Sequence, residues 1–465
     1  MERRPGEVSR GKKGSLGGQE EVKPGYLVVV VGGAVAGAEA VAQLTARGIR
    51  CVVLEQNPRP YGKIEDGLPR WHVKLRAQEY AKIDAKLAHL LVQYVPRTRL
   101  GREIGLKDLL AWKPSAIILA NGAWRDRPLP LDGVDAYVGR GFYYQNPFVY
   151  WFNHYDDPDY DGPAVEFADG GIVVGGGLAS LDVVKILMLE AAVRALKARG
   201  MPADPVTLEH GGLKRALDER GLTLEALGVK GCTLFYRRTI EDMPLAEPPE
   251  NATPQQLERN RQTRRKLLQN FQERFLFQVQ ERSLPVGVLT DGDHLAGLTF
   301  ARTELKGREV TTVPGSEAPV RAPLTVSSIG SIPEPVAELP MAGELYRLKD
   351  RRTGEVEGLP GVFALGNAVT GKGNIQASLK HGRLVAQHIL ENYLTGKSSG
   401  YEEILEGAAA EAREKASLVA ERVRGAPLLP PERIGAILQA VRTLQAAVGY
   451  PGDYRAYIAT VPPTS

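Results

Sequence analysis

The 465-residue chain has only two cysteines, Cys51 and Cys232, far apart and each set in an apolar run. That excludes a disulfide framework, a CxxC redox pair and a cysteine ligand set for an iron–sulfur cluster. Reductases that pass electrons through paired thiols are excluded with them. No run of about 18 apolar residues occurs, so no membrane span is expected. Charge of one sign is also scarce. The net charge is +4, with no Lys/Arg block interleaved with aromatics, which argues against nucleic acid as a partner. Neither a metal-ligand cluster nor a hydrolytic triad is evident. Residues 1–24 have no apolar core and read as a disordered tail, neither signal peptide nor packed element. The default compartment is a reducing cytoplasm. At 43% hydrophobic and 25% charged the remainder is ordinary globular sequence, long enough for about three domains.

What is present begins with Tyr26 to Glu55. An apolar strand (Leu27 to Val31) runs into Gly32-Gly33-Ala34-Val35-Ala36-Gly37, then a helical stretch, then a second strand from Arg50 ending on Glu55. Glycines allow a sharp turn and close approach to a pyrophosphate, held by the free N–H groups and dipole of the helix start. Glu55 follows Gly37 by eighteen residues, near the spacing of the acid that binds ribose hydroxyls. Ala34 stands where the middle glycine of the fingerprint belongs. The order strand, turn, helix, strand, acid predicts a dinucleotide site.

From Asn57 to His72 the chain is rich in Pro and Gly, and reads as a loop passing close to something flat. A helix is expected over 77–93. A short strand, Ala116 to Leu119, then delivers Ala120-Asn121-Gly122 to the carboxyl edge of the sheet, where such folds bind ligands. The aromatic stretch from Gly141 to Asn153 is either core between domains or a wall beside a ring cofactor.

The opening pattern returns at Gly171 to Gly175, followed by Gly176, Gly177, Leu178, Ala179 and Ser180 and a helix to about Lys197. The small Ser180 permits close helix–strand packing. The following strand, Cys232 to Tyr236, ends not on an acid but on Arg237-Arg238. Two guanidiniums suit a 2′-phosphate that a carboxylate would repel, so the second ligand is expected to be NADP(H). Arg237 lies 57 residues beyond Ser180, and Pro202 to Lys230 reads as inserted short helices that account for the excess. Thr253-Pro254-Gln255-Gln256 is a capping box opening a helix, whose arginines form a solvated face or a dock for an acidic protein. Strands are expected at 286–289, 295–300, 310–313 and 324–330. Gly361 to Gly366 and Asn367 form a further strand with a small-residue exit. Gly373, Asn374 and Ile375 then lead into a helix to about Tyr393, whose start can present backbone N–H groups to a carbonyl-rich ring. Residues 398–465 read as two amphipathic helices (401–424 and 431–448) and a Pro-rich end, serving as a core cap or a partner surface.

Together these motifs resemble the flavoproteins of the adrenodoxin reductase and glutamate synthase small-subunit group over about residues 25–395. Pro60-Tyr61-Gly62 to Gly67 resembles the segment after the FAD ribose acid, and Trp151-Phe152-Asn153 the crossover between domains. Tyr236-Arg237-Arg238-Thr239 with Met243-Pro244 is similar to the strand that binds NADPH, and Gly361–Asn367 and Gly373–Ala377 to the last FAD-contacting strand and helix start. Lys63 stands where an aliphatic residue is usual, and Asn367 where an Asp is. The iron–sulfur domain that precedes the fold in the small-subunit proteins has no counterpart here.

The resemblance implies an α/β fold of two Rossmann-like domains. The FAD-binding domain is split (25–153 and 345–397), the NADP-binding domain is inserted (154–344), and a helical extension (398–465) follows. It places FAD on Gly32, Gly33, Ala34, Ala36, Gly37, Glu55, Gly62, Asn121, Gly122, Gly366, Asn367, Gly373, Asn374 and Ile375. NADP falls on Gly175 to Ser180, Arg237 and Arg238. The implied chemistry is hydride transfer from NADPH to flavin, with Lys63 and Trp151 as candidate participants. Electrons would leave to a ferredoxin-like iron–sulfur protein or to a larger redox subunit. A non-catalytic nucleotide-bound sensor and a flavin monooxygenase remain open alternatives.

Overall fold

The computed structural model describes residues 23–246, 251–307, 309–370 and 401–461. The expectations placed on Gly373, Asn374 and Ile375, on the helix to Tyr393 and on residues 1–22 lie outside the described residues.

Five consecutive apolar residues form β1 (Leu27–Val31), and every one is buried, as in a strand covered on both faces. The chain continues through α1 (Val35–Thr45), β2 (Arg50–Leu54), α2 (Lys63–Asp66), α3 (Val73–Leu87), β3 (Val92–Val95), α4 (Leu106–Ala111) and β4 (Ala116–Leu119). β1 pairs in parallel with β2 and β4, so Val30 has Val53 on one side and Ile118 on the other. Strand order reverses between β1 and β4. That switch point is where open α/β sheets bind ligands.

Next come β5 (Arg125–Asp126), β6 (Phe142–Tyr144), α5 (Gln145–His154) and β7 (Gly171–Gly175). Then follow α6 (Leu178–Ala198), α7 (Pro205–Gly211), α8 (Leu213–Asp218), α9 (Leu224–Leu227), β8 (Cys232–Phe235), α10 (Pro254–Phe275) and β9 (Gln278–Gln280). An antiparallel group, β10 (Ser283–Asp291), β11 (His294–Lys306), β12 (Glu309–Thr312) and β13 (Ala318–Arg321), precedes β14 (Thr325–Ser328). The second sheet runs β6-β14-β7-β8-β9, all parallel, with its own reversal between β7 and β14. β6, grouped from sequence with residues 25–153, is thus hydrogen-bonded into the second sheet. The return passage, β15 (Ser331–Ile332), pairs antiparallel with the outgoing β5, so both crossings between the sheets run side by side.

The short hairpin β16 (Met341–Ala342) and β17 (Leu345–Tyr346) leads to β18 (Leu348–Asp350), β19 (Glu355–Val356) and β20 (Val362–Ala364). β20 joins the first sheet beside β4, Phe363 opposite Ile118. α11 (Asn367–Thr370), α12 (Tyr401–Arg424), α13 (Pro431–Ala447) and α14 (Tyr454–Thr460) complete the described fold.

The C-terminal helices close the first sheet on both faces. Ala416, Val419, Ala420 and Val423 of α12 share a core with Val28 and Val30, which point to one side of β1. Ile434, Ile437 and Val441 of α13 share the other core with Leu27 and Val29. Each buried valine, leucine or isoleucine among them contributes about 1.5–3 kcal/mol by its removal from water. Small residues on both α1 and α12 permit a close approach. Glu39 of α1 fixes the pairing, bound by Lys86 at 2.5 Å and by Arg413 of α12 at 3.2 Å. The extension is therefore a cap on the core.

Several local expectations differ from the structure. The helix expected over 77–93 is α3, ending at Leu87, and Gln93 lies in β3. The Pro/Gly loop contains the one-turn α2. Two helices absent from the sequence reading carry an Asp cap: Asp204 accepts from Thr207 N at 2.8 Å, and Asp453 from Ala456 N at 2.7 Å. The capping box at Thr253 is formed as expected, with Thr253 N donating to Gln256 Oε1 at 2.8 Å. The arginines of α10 are partly structural, since Arg264 binds the carbonyls of Ala246 and Glu241 at 2.6 and 2.8 Å.

Candidate functional site

Both switch points open into one cavity of about 1070 Å³. Its first half begins where β1 ends. Gly32 takes φ +97°, and a Cβ there would stand 2.5 Å from the Ala120 carbonyl oxygen. A Cβ at Gly37 would meet the Gly32 oxygen at 1.8 Å, so only glycine lets α1 start this close to the strand. Ala34, Val35 and Ala36 then line the cavity with the first turn of α1, whose N–H groups have no partner within the helix. Gly33 and Gly37 are not on the wall. They shape the turn behind it.

Glu55 directly follows β2, buried but on the wall. Its carboxylate accepts from Gly33 N at 2.8 Å and Asn57 N at 2.9 Å, while burial pushes it up to about 7. Across the cavity, Asn121 donates from Nδ2 to the Tyr346 hydroxyl at 2.9 Å. Its Oδ1 and that of Asn367 are buried without a hydrogen-bond partner among the described residues. Both asparagines line the cavity, as do Gly62, Gly122 and Gly366, so two unsatisfied acceptors belong to residues of its wall.

The second half repeats the construction on β7. A Cβ at Gly175 would stand 2.4 Å from the Ser328 oxygen and 2.8 Å from Ser180 Cβ, and one at Gly176 would lie 2.3 Å from the Tyr236 ring. Ser180 is fully buried and donates to the Gly177 carbonyl at 2.6 Å, closing the turn. Leu178 and Ala179 begin α6 on the wall. Arg237 and Arg238 line the same region, their backbone fixed by Thr303 Oγ1 donating to the Arg237 carbonyl at 2.7 Å and Arg282 N to the Arg238 carbonyl at 2.9 Å.

Between the halves stands Lys63, the first residue of α2. Its ammonium donates to Asn146 Oδ1 at 3.0 Å and Ser331 Oγ at 2.9 Å, 5.9 Å from the Trp124 ring centre. Desolvation pushes it down to about 8, against the opposing pull of Asp126. Trp151, in contrast, is not on the wall. Its ring packs on Tyr155 at 4.9 Å and Phe148 at 5.5 Å inside the second core. A role at the reaction centre is thus corrected to one in packing, since no part of it reaches the cavity.

Sequence reasoning missed Thr98, Arg99 and Leu100 after β3, Ser328 to Ser331 from the end of β14 to the start of β15, and Tyr401, Ile404, Leu405 and Ala408 of α12. The run Ser327-Ser328-Ile329-Gly330-Ser331 is a small-residue strand exit like Ala120-Asn121-Gly122, a signal that could have identified it. No local signal marks the α12 residues. Among the described residues no cluster of His, Cys, Asp or Glu could hold a metal, and no helix is long and apolar enough to cross a membrane.

No family model matches the chain. It is 24% identical to the mitochondrial NADPH:adrenodoxin oxidoreductase of Arabidopsis thaliana over 44% of each chain. It is 22% identical to a putative glutamate synthase [NADPH] small chain of Cereibacter sphaeroides over 79% of this chain and 78% of that one. The matched stretch of the first spans less than half that relative's length. Among solved structures it resembles Mycobacterium tuberculosis FprA in complex with NADPH, with a TM-score of 0.58 at 17% identity, over 83% of this chain and 90% of that one. These relatives carry the names of the group whose motifs the sequence displays, and FprA shares the arrangement of two dinucleotide-type folds.

Proposed function

We propose that the chain is an FAD-dependent NADPH oxidoreductase that hands electrons to a small iron–sulfur protein. One observation carries the reading: two glycine turns of dinucleotide type, on separate parallel sheets, open into a single cavity. The first half fits FAD. Its turn leaves room where side chains would intrude, Glu55 would hold the adenosine ribose, and the start of α1 the pyrophosphate. The unpartnered Oδ1 atoms of Asn121 and Asn367 would accept from hydroxyls of the same molecule. The second half fits NADPH, with Gly175 to Ser180 around the pyrophosphate and Arg237 and Arg238 on the 2′-phosphate. When bound, the flavin accepts hydride from NADPH and releases the electrons to an acceptor. The protein's share is positioning, because the reacting atoms must meet at about 3–3.5 Å. Cys51 and Cys232 are buried, and burial pushes both thiols up, so neither offers a thiolate relay.

The test is the visible spectrum of the purified chain before and after anaerobic NADPH. A yellow protein bleached by NADPH and reoxidised by a small iron–sulfur protein supports the reading; a protein that stays colourless after reconstitution overturns it. The length of the match to the glutamate synthase small chain favours a second reading, an electron-input subunit of a larger oxidoreductase. Bleaching by NADPH with only artificial dyes as acceptors would select it. Flavin that NADPH cannot reduce would point instead to a non-catalytic subunit.

A further inference from the structure

Lys63 is out of keeping with its surroundings. It follows Gly62 in the turn that closes the first nucleotide site, yet its side chain leaves that site and ends among the crossings between the sheets. There it meets Asn146 at the start of α5 and Ser331 on β15. Asn146 is itself held in place: its Nδ2 donates to the Trp124 carbonyl at 3.0 Å, and its backbone N–H to the Asp126 carboxylate at 3.2 Å. Two of the ammonium's three N–H groups are thereby used, and the residue still lines the cavity. A largely desolvated cation would ordinarily be matched by a contacting carboxylate. Here its two partners are neutral, and Asp126 acts on it only electrostatically.

Where Lys63 stands along the cavity gives the charge a use. FAD anchored by Glu55 and the Gly32 turn must send its other end away from the adenosine, toward the second half. A nicotinamide arriving from the Gly175 turn must come the opposite way. Lys63 lies on the wall between the two turns, with Ser331 and Gln145. We propose that the Lys63 ammonium supplies the countercharge to the reduced flavin ring, so that this residue sets the potential at which the protein accepts electrons from NADPH. The inference rests on the oxidoreductase reading above. The transfer balances in the usual way: hydride, two electrons with one proton, leaves NADPH as NADP⁺ and places one negative charge on the ring. Lys63 offsets that charge without giving up its proton.

Other charged groups on the cavity wall are Glu55 in the first half, whose carboxyl burial pushes up to about 7, Asp242, Arg237 and Arg238 in the second half, Arg127 paired with Glu344 at 3.0 Å, and Arg99 paired with Glu334. Asp126 on β5 faces Lys63 itself, and burial pushes its carboxyl up to about 6, so it is ionised through the neutral range. The ammonium stands at about 8 in the flavin-free chain, and a negative ring raises that value. Above about pH 8, reduction then draws a proton onto Lys63, and the potential falls more steeply with pH by about 30 mV per unit for a two-electron couple.

The experiment equilibrates the flavin-loaded protein with NADPH-independent dye mediators from about pH 6 to about pH 10. At neutral pH, K63M is expected to be about tenfold harder to reduce at equal ambient potential, a shift of about 30 mV. It should also lack the steepening, while K63R keeps a potential near that of the native chain. A residue that merely braces the crossings would alter the melting temperature of K63M and leave its potential unchanged, which overturns the proposal. If K63M does not retain flavin, the native pH profile decides alone: a steepened limb supports the assignment and a straight line rejects it. A native chain that never takes up flavin would fail the oxidoreductase reading itself, an outcome distinct from a yellow K63M with native potential.

Discussion

The methyl group of Ala34 occupies the space that a side chain at Gly62 would need: a Cβ built on Gly62 stands 2.9 Å from Ala34 Cβ. The alanine that breaks the glycine fingerprint is thus accommodated by a glycine twenty-eight residues later, on the loop that folds over the turn. Gly62 also takes φ +55°, which disfavours any L side chain. Gly62→Ala is therefore expected to weaken FAD binding at least tenfold and to cost about 1–3 kcal/mol of stability, measured by flavin fluorescence and denaturant unfolding. Adding Ala34→Gly should recover the steric part and leave the backbone part. Equal binding by Gly62→Ala and the native chain would refute this account.

Glu55 supplies a pH dependence. Burial raises its carboxyl to about 7, above the ordinary value, so the folded flavin-free chain holds that proton more tightly than the unfolded one. This contribution is therefore most favourable at low pH and declines up to about 7. Ribose hydroxyls, in contrast, donate best to the ionised form. FAD affinity should rise from about pH 6 to about pH 8 and then level off, while Glu55→Gln binds weakly at every pH. Calorimetric titration of the flavin-free protein across that range checks the sign.

Coenzyme choice should reside in the pair that ends the β8 segment. Charge-assisted hydrogen bonds to a phosphate are worth about 1.5–3 kcal/mol, so Arg237→Ala and Arg238→Ala should each reduce affinity for 2′,5′-ADP by about tenfold to a hundredfold. Affinity for 5′-AMP should hardly change. Equal losses for both ligands would remove the arginines from the 2′-phosphate.

Gly176→Ala places a methyl group 2.3 Å from the Tyr236 ring. Tyr236 is anchored through its hydroxyl, which donates to the Asp242 carbonyl at 2.9 Å, so the ring cannot retreat freely. The expected result is a raised KM for NADPH with an unaltered flavin spectrum, since the first nucleotide half is untouched. Loss of flavin from this variant would contradict the separation of the two halves.

The Glu39 carboxylate ties α1 to α3 and α12. Its ion pairs and hydrogen bonds to Arg413 and Lys86 hold it below its ordinary value despite the opposing effect of burial. A lowered carboxyl stabilises above its unfolded value near about 4.3 and loses that contribution as pH falls through the folded one. Glu39→Gln should lower the melting temperature at neutral pH, at a cost of about 1 kcal/mol because Arg413 is half exposed. The difference from the native chain should close in acid.

What could be read from the residues was whatever local chemistry dictates. Leu27 to Val31 can only be a doubly covered strand, Gly37 is required by the Gly32 carbonyl five residues before it, and Arg237-Arg238 stands at a strand end where an acid is usual. Thr253 and Gln256 announce a helix start by themselves. The hidden parts depend on partners remote in the chain. Nothing near Ala34 shows that Gly62 makes room for it, and nothing near Trp151 separates a cofactor wall from a core until Phe167 and the buried residues of α6 close around it. The α12 residues on the cavity are invisible for the same reason, being placed there by Glu39 and the small residues of α1.

The clamp of α12 and α13 on β1 bears on the order in which the molecule can be built. During synthesis β1 emerges early, but both of its covering helices and β20, which joins the same sheet beside β4, emerge much later. The second sheet, from β6 to β14, is complete in one uninterrupted span between those events. A ribosome therefore releases a finished inner unit while the outer one still lacks a covering helix on each face of β1. The nascent chain should need chaperone shelter until the two helices from Tyr401 to Ala447 have emerged.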